Sequence, residues 1–509
     1  MSSRAEKSFR NATVGTGVQA CVLLLGFATR TALVYGLGRY YLGLNSVMTG
    51  LIAMYTLAEL GMGNALVYSM YEPLAHGRQK KTEAYLTLFK KVYRIIGATI
   101  VVLAVLGTPL RPSIVNTPMT TEIYAIYALF TANTAISYLA FAYRGSLMQA
   151  DQNRYLVSFS DLIFSAVSSI GQIACFLFLH NYVAGLCFMV VGQLAKNLFI
   201  YHVSKTRYRN MSFSSREKLE NSEKTQLKKN IFAMAIGKFS DAANNSFLNV
   251  VISAFIGLVE SGLFSNYQMI ANAVQGIVSQ AFSALTPSVG NLNVEASTKK
   301  KKTVFLQITY LSGWVYLTVV CIVWACIDPF IELWTGNPDY LLPKACALGV
   351  AANLLTIGLL RATVIFKDGC GIFYQGRYRP VASCVLTVLF ALAFARPFGI
   401  AGVIWASPLS RLLTAMWYDP YLVYKHVFAE KPWEYYVLTT KFVLATGAAM
   451  AACSGIGMLL PFGPLGSFLA GVVSALAVSQ AVFFLAFGRS EHFTKSIQMA
   501  RARLGRSKS

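Results

Sequence analysis

Long apolar segments alternate with short polar gaps along the whole chain. Runs of about 20 apolar residues, enough to cross ~30 Å of hydrocarbon as a helix, recur throughout the 509 residues. This pattern predicts an all-α polytopic membrane protein with about fourteen transmembrane helices. The predicted spans cover residues 12–37, 44–71, 92–110, 120–142, 155–179, 182–203, 232–257, 262–287, 304–328, 340–366, 381–396, 398–423, 435–459 and 464–487.

The basic residues follow the same alternation. About 33 of the 44 Lys and Arg residues fall in every second polar gap, whereas only Arg39, Arg111 and Arg396 fall in the gaps between those. The positive-inside rule produces this distribution, which predicts a bacterial cell (inner) membrane protein with both termini in the cytoplasm. The net charge of +23 is thereby explained by anchors that face anionic membrane lipids. No nucleic-acid partner is expected.

The spacing of the gaps predicts two halves joined by a central linker. An offset of 214 residues places Gly43 on Gly257 and Pro73 on Pro287, at corresponding positions of spans two and eight. Both halves begin on the cytoplasmic side, so the repeat is parallel, and substrate sites in such transporters lie near the midplane. The predicted parts are an N-terminal six-helix half (1–204), a basic cytoplasmic linker (205–230), a C-terminal six-helix half (231–424), and two additional helices with a basic tail (425–509).

Polar residues inside the spans are the candidates for function, because each is costly in hydrocarbon and usually faces a cavity. Gln19 and Arg30 share one helical face of span one, and spans two, seven and eight also carry polar stripes. The substrate-lumen candidates are Arg30, Gln19, Glu59, Asn245, Asn249, Gln268, Asn272, Gln275 and Arg411. The gating or ion-coupling candidates are Glu59, Lys238 and Asp241.

Structural roles account for some of these residues equally well. Asn and Gln stripes also hold helices together, and Lys238 lies near the cytoplasmic end of its span, where it can snorkel. For Lys238 and Arg361 the choice between the lumen and the membrane surface stays open. Asp161 and Lys196 lie at similar depth in neighbouring spans, which favours a structural ion pair over a substrate site.

The sequence lacks the motifs of several classes of enzyme and metal-binding protein. It contains no GxxxxGK[ST] phosphate-binding loop and no HExxH zinc motif, and its nine cysteines form no CxxC pair. The predicted outer loops are too short for a soluble catalytic domain. No catalytic residue, metal or cofactor is expected, and the protein is interpreted as not being an enzyme.

The N-terminal third resembles bacterial polysaccharide flippases, the Wzx-like group of the multidrug/oligosaccharidyl-lipid/polysaccharide exporter (MOP) superfamily. The resemblance rests on residues 28–78, and its most specific parts are YYLGLNSV and LAELGMGNALVYSMYEPLA. The fourteen spans, the basic gap after span six and a second half that begins KNIFAMAIGKFSDAANN agree with it. The resemblance implies a V-shaped, alternating-access transporter with a cationic lumen, a role that Arg30 fits.

The same resemblance implies the substrate. It points to translocation of a polyprenyl-pyrophosphate-linked oligosaccharide from the cytoplasmic to the outer leaflet, for surface polysaccharide assembly. The implied partners are this lipid-linked oligosaccharide and the polysaccharide polymerase and glycosyltransferases of the same process. The alternatives are a multidrug or organic-cation exporter of the same superfamily, a lipid II flippase, a membrane enzyme and a scaffold without transport.

Overall fold

The structure is a computed structural model, in which the described part of the chain is helical and contains no strand. It describes residues 4–59, 62–108, 111–213, 247–372, 375–459 and 463–490, together with 215, 219–221, 223, 225 and 227. The chain divides into two compact units, Met1–Gly262 (unit 1) and Leu263–Ser509 (unit 2).

Among its described residues, unit 1 contains eight α-helices, a further helical stretch at 247–255 and the first turn of a ninth helix. The helices are α1 (Arg4–Tyr55), α2 (Met62–Ala75), α3 (Gln79–Leu106), α4 (Arg111–Val115), α5 (Thr121–Leu139), α6 (Ala142–Ala150), α7 (Arg154–Leu177), α8 (Tyr182–Arg207) and α9 (Leu258–Ser283).

Unit 2 contains the remainder of α9 and the helices that follow it. These are α10 (Thr286–Glu295), α11 (Thr298–Thr335), α12 (Lys344–Leu359), α13 (Arg361–Gly369), α14 (Arg379–Leu413), α15 (Ala415–Val423), α16 (Trp433–Leu459) and α17 (Pro464–Phe487).

The helices confirm the multi-span prediction. Eight of the described helical stretches are long and apolar enough to cross a membrane, and a bent pair, Thr121–Leu139 with Tyr143–Ala150, makes a ninth. Two of the eight each contain a glycine with positive φ: Gly38 (φ 79°) in α1, between the predicted spans 12–37 and 44–71, and Gly399 (φ 59°) in α14, at the start of the predicted span 398–423. Helices occupy thirteen of the fourteen predicted spans, and most of the seventh lies outside the described residues.

Glycines permit close helix packing in unit 1. α7 packs against both α1 and α8. A Cβ atom added at Gly36 of α1 would lie 2.1 Å from the carbonyl oxygen of Phe176, and one at Gly185 of α8 would lie 2.2 Å from the Phe176 ring. Small residues are how membrane helices bring their backbones together, because hydrocarbon supplies no hydrophobic force between them.

The described part of the predicted linker docks on unit 1. Leu219 and Leu227 are buried in a cluster formed by α2, α3 and α6. Two side chains of α3 accept hydrogen bonds from the linker backbone: Glu83 Oε1 from Ser212 N at 2.9 Å, and Thr87 Oγ1 from Ser215 N at 2.9 Å. The linker therefore begins as a folded extension of unit 1.

In unit 2, the last two helices are joined to α11 by polar contacts. Trp314 Nε1 donates to Gln480 Oε1 at 2.8 Å, and Gln480 Nε2 donates to Thr318 Oγ1 at 3.1 Å. Trp324 Nε1 also donates to Ser454 Oγ at 2.9 Å. These bonds satisfy polar groups that would otherwise face hydrocarbon, so α16 and α17 are integral to unit 2.

Candidate functional site

Arg30 lies in α1, two turns before the break at Gly38. It is half-buried. Tyr182 of α8, in the same unit, is wholly buried, and its hydroxyl donates to Asn45 Oδ1 at 3.0 Å. Gln19, predicted on the same face of α1, is exposed.

Glu59 ends the 3-10 turn Thr56–Glu59 between α1 and α2. Its Oε2 accepts a hydrogen bond from Tyr138 of α5 at 2.9 Å, and the Tyr138 ring packs on Tyr93 of α3 with centroids 5.8 Å apart. A Cβ added at Gly63 would lie 2.8 Å from Glu59 Oε1, so the glycine makes room for the carboxylate. Glu59 is thus held by a hydrogen bond from Tyr138, whose ring in turn packs on Tyr93.

Asp161 of α7 and Lys196 of α8 form an ion pair between two adjacent helices. Lys196 Nζ lies 3.3 Å from Asp161 Oδ1, within ion-pair distance, and both side chains are partly exposed.

Asn249, also in unit 1, is buried, and its backbone carbonyl accepts a hydrogen bond from Ser261 Oγ at 3.0 Å.

Arg411 of unit 2 is held by α12. Its NH1 group donates to Asn353 Oδ1 at 2.7 Å and to Thr356 Oγ1 at 2.9 Å. Arg361, at the start of α13, donates to Ser279 Oγ of α9. Both guanidinium groups therefore have fixed positions within the helical bundle of unit 2.

The polar stripe of α9 is only partly enclosed. Gln268 and Gln275 are half-buried and Asn272 is exposed. Lys238, Asp241 and Asn245 lie outside the described residues, so their assignment to a lumen or a gate stays a prediction.

The sequence reasoning missed a buried charge cluster in unit 2. Asp419 of α15 is 1% exposed, and its two carboxylate oxygens face two cations: Lys367 Nζ of α13 at 2.7 Å and Arg379 of α14 at 3.0 Å. In the sequence, Asp419 stands out only as a single Asp in an apolar run. Lys367 and Arg379 lie in a basic gap that the positive-inside rule already explains. The three side chains join three helices of unit 2.

A second missed pair lies in the same unit. Asp328 of α11 is buried; it accepts a hydrogen bond from Tyr267 at 2.6 Å and pairs with Lys344 Nζ at 2.5 Å. Asp161, Asp328 and Asp419 are therefore all neutralised by a neighbouring cation. Within the described part of the chain, no group of three His, Cys, Asp or Glu side chains is placed to hold a metal ion.

The fold and these intramembrane polar groups define a multi-pass helical membrane protein. The chain belongs to the polysaccharide biosynthesis protein family, whose model matches residues 8–292. A search of curated protein sequences finds no significant match.

Two solved structures share the fold. A lipid II flippase, MurJ, in an inward closed conformation has a TM-score of 0.66 at 10% identity, covering 94% of this chain and 100% of its own. An inward-facing multidrug resistance MATE family transporter of the MOP superfamily has a TM-score of 0.62 at 12% identity, covering 94% and 99%. At such identities the likeness concerns the fold alone.

Proposed function

We propose that this protein is a flippase that translocates a polyprenyl-pyrophosphate-linked oligosaccharide from the cytoplasmic to the outer leaflet of the bacterial inner membrane. The membership of the polysaccharide biosynthesis protein family carries this proposal. In the proposed orientation both termini and the 205–230 linker are cytoplasmic. The partners that this proposal implies are the glycosyltransferases that build the oligosaccharide before translocation and the polysaccharide polymerase that uses it afterwards.

The charges inside the membrane helices support an anionic cargo. A pyrophosphate loses its water in hydrocarbon at great cost, and a guanidinium replaces those contacts by bidentate, permanently charged hydrogen bonds. Arg411 is a guanidinium group held by hydrogen bonds inside unit 2, and Arg30 is a half-buried guanidinium group of α1 in unit 1. An exporter of organic cations would need acidic groups instead. Asp161, Asp328 and Asp419 have cationic partners, and Glu59 accepts a hydrogen bond from Tyr138.

Deleting the gene tests the substrate. The proposal predicts loss of surface polysaccharide together with accumulation of its lipid-linked precursor on the cytoplasmic face. Normal polysaccharide with heightened sensitivity to cationic drugs would favour the multidrug exporter instead, and arrest of cell-wall synthesis with accumulated lipid II would favour the lipid II flippase.

Complementation of that deletion tests Arg30. Arg30→Ala should abolish transport at matched expression, and Arg30→Lys should retain part of it, because lysine offers a point charge without the bidentate geometry. If Arg30 pairs with Glu59 in a gate, the Arg30→Ala/Glu59→Ala double variant should recover some transport, since it removes the unpaired carboxylate. Near-normal transport by Arg30→Ala alone would contradict both roles.

A further inference from the structure

A surface cavity of unit 2 lies between α11, α16 and α17. Its volume is about 470 Å³, within the ~300–1,000 Å³ of pockets that hold drug-sized ligands. Its wall includes Trp433, the first residue of α16, which is 68% exposed. Exposed tryptophans are typical of the level at which membrane helices meet lipid headgroups. In the proposed orientation, the cavity therefore lies at the headgroups of the cytoplasmic leaflet.

Lys441 supplies a positive charge to the cavity wall. It follows Trp433 by eight residues of α16, about 12 Å along the helix axis, and it is exposed. Within the described part of the chain, no carboxylate pairs with it. Long side chains of a helix point toward its N-terminus. The amine is therefore directed back toward the headgroup level, where it can meet a lipid phosphate.

Glu434 supplies a negative charge to the same wall. Its Oε2 lies 2.8 Å from Lys302 Nζ, but Glu430 Oε2 lies 2.7 Å from the same amine. One ammonium group thus serves two carboxylates, which leaves one negative charge uncompensated. The Glu434 side chain is 46% exposed, so a ligand can reach it. Since Glu434 and Lys441 do not pair with each other, the cavity presents a cation and an anion that are held apart.

Much of the remaining wall is apolar. The rings of Tyr310 and Phe487 lie edge-to-face with their centroids 6.1 Å apart, and Val437, also in the wall, is 55% exposed. The acyl chains of a phospholipid would cover this apolar surface, whereas a free phosphate in water would not. The cavity therefore fits a lipid better than a soluble ion.

We propose that this cavity binds phosphatidylethanolamine, a phospholipid whose headgroup carries both a phosphate and a primary ammonium group. The phosphate pairs with Lys441, the ammonium group donates to Glu434, and the acyl chains lie along the apolar wall. Snorkelling alone would bring Lys441 to any phosphate, so the choice of lipid rests on Glu434. Phosphatidylglycerol brings no cation to this carboxylate, and phosphatidylcholine has no N–H group to donate. The inference does not depend on which substrate is transported.

Glu434→Gln and Glu430→Gln form a matched pair that tests the proposal. Each removes one carboxylate from Lys302, and the two side chains are 46% and 49% exposed, but Glu434 lines the cavity and Glu430 does not. Full-length protein is purified in detergent, stripped of lipid and titrated with phosphatidylethanolamine, phosphatidylglycerol or phosphatidylcholine of the same acyl chains. Native mass spectrometry measures the affinity of the first bound lipid.

We expect the wild-type protein to bind phosphatidylethanolamine more tightly than either other lipid. Glu434→Gln should weaken that binding by at least about fivefold, because it removes a charge-assisted hydrogen bond, and should leave phosphatidylglycerol binding no weaker. Glu430→Gln should change neither. Equal effects of the two substitutions would overturn the proposal, and so would lower thermal stability of Glu434→Gln with unaltered lipid binding. Equal or tighter wild-type binding of phosphatidylglycerol would also overturn it, in favour of an anionic lipid.

Lys441→Met tests the phosphate contact in the same assay. Methionine keeps an unbranched side chain without the charge, so binding of phosphatidylethanolamine and of phosphatidylglycerol should both weaken, since both lipids carry a phosphate. Lys431→Met is the control, because Lys431 is also exposed but is not part of the cavity wall. It should change neither affinity. Unaltered binding of phosphatidylethanolamine by Lys441→Met would overturn the site.

Discussion

The buried charge cluster of unit 2 allows a quantitative test of what holds α13, α14 and α15 together. Asp419→Asn removes the carboxylate but keeps the shape of the side chain. Lys367 and Arg379 are 12% and 23% exposed, so both cations stay largely buried without their counter-charge. Breaking a buried ion pair from one side costs about 3–5 kcal/mol, a large part of the ~5–15 kcal/mol that stabilises a typical folded protein.

Glu430→Gln is the matched control for Asp419→Asn. Glu430 also pairs with a lysine, Lys302 Nζ at 2.7 Å, but its side chain is 49% exposed. An exposed pair contributes about 0–1 kcal/mol. The same carboxyl-to-amide change should therefore have a much smaller effect.

The assay is thermal unfolding of detergent-solubilised protein, followed as the fraction that stays monodisperse after heating. Denaturant titration of the same samples supplies the free-energy difference. We expect Asp419→Asn to lower the unfolding midpoint strongly and Glu430→Gln to leave it close to that of the wild type. Equal, small effects of the two changes would refute the reasoning that burial makes the Asp419 cluster structural.

Two further predictions concern topology and the linker. A cysteine placed at Asp339 should react with a membrane-impermeant thiol reagent in intact cells and one at Ser222 should not, because the alternation of basic gaps puts Ser222 in the cytoplasm; labelling at Ser222 would reverse the orientation. Leu227→Asp should destabilise the protein by several kcal/mol, because it puts a carboxylate into the apolar cluster of unit 1. Thr225→Asp, at an exposed site two residues earlier, should not, and equal thermal stability of the two variants would show that the linker does not need this contact.

The spans were predictable because membrane helices leave a strong local signal. An apolar run of about 20 residues has few alternatives in hydrocarbon, since a helix satisfies its own backbone hydrogen bonds. The break at Gly38 falls between two predicted spans, and the break at Gly399 lies two residues from the predicted boundary at Pro397. In the structure, α1 and α14 each consist of two helices that meet at these glycines.

Side-chain partners were harder to predict, since they come from helices far apart in the chain. Nothing near Glu59 in sequence indicates Tyr138 as its donor, and nothing near Asp419 indicates Lys367. Asp161 and Lys196 were the exception, because two antiparallel neighbouring helices fix their relative depth. The cavity of unit 2 was not predicted, because its wall combines residues of α11 with those of α16 and α17, which are far from α11 in the chain.

The central claim is that this chain moves a lipid-linked oligosaccharide across the bilayer, and reconstitution measures that most directly. Purified protein is incorporated into liposomes whose inner leaflet holds the lipid-linked oligosaccharide, and arrival of sugar on the outside is followed with a membrane-impermeant lectin. Liposomes with the wild-type protein should expose the sugar much faster than protein-free liposomes, and those with Arg30→Ala should match the protein-free rate. Exposure at the protein-free rate by correctly folded wild-type protein would contradict the account.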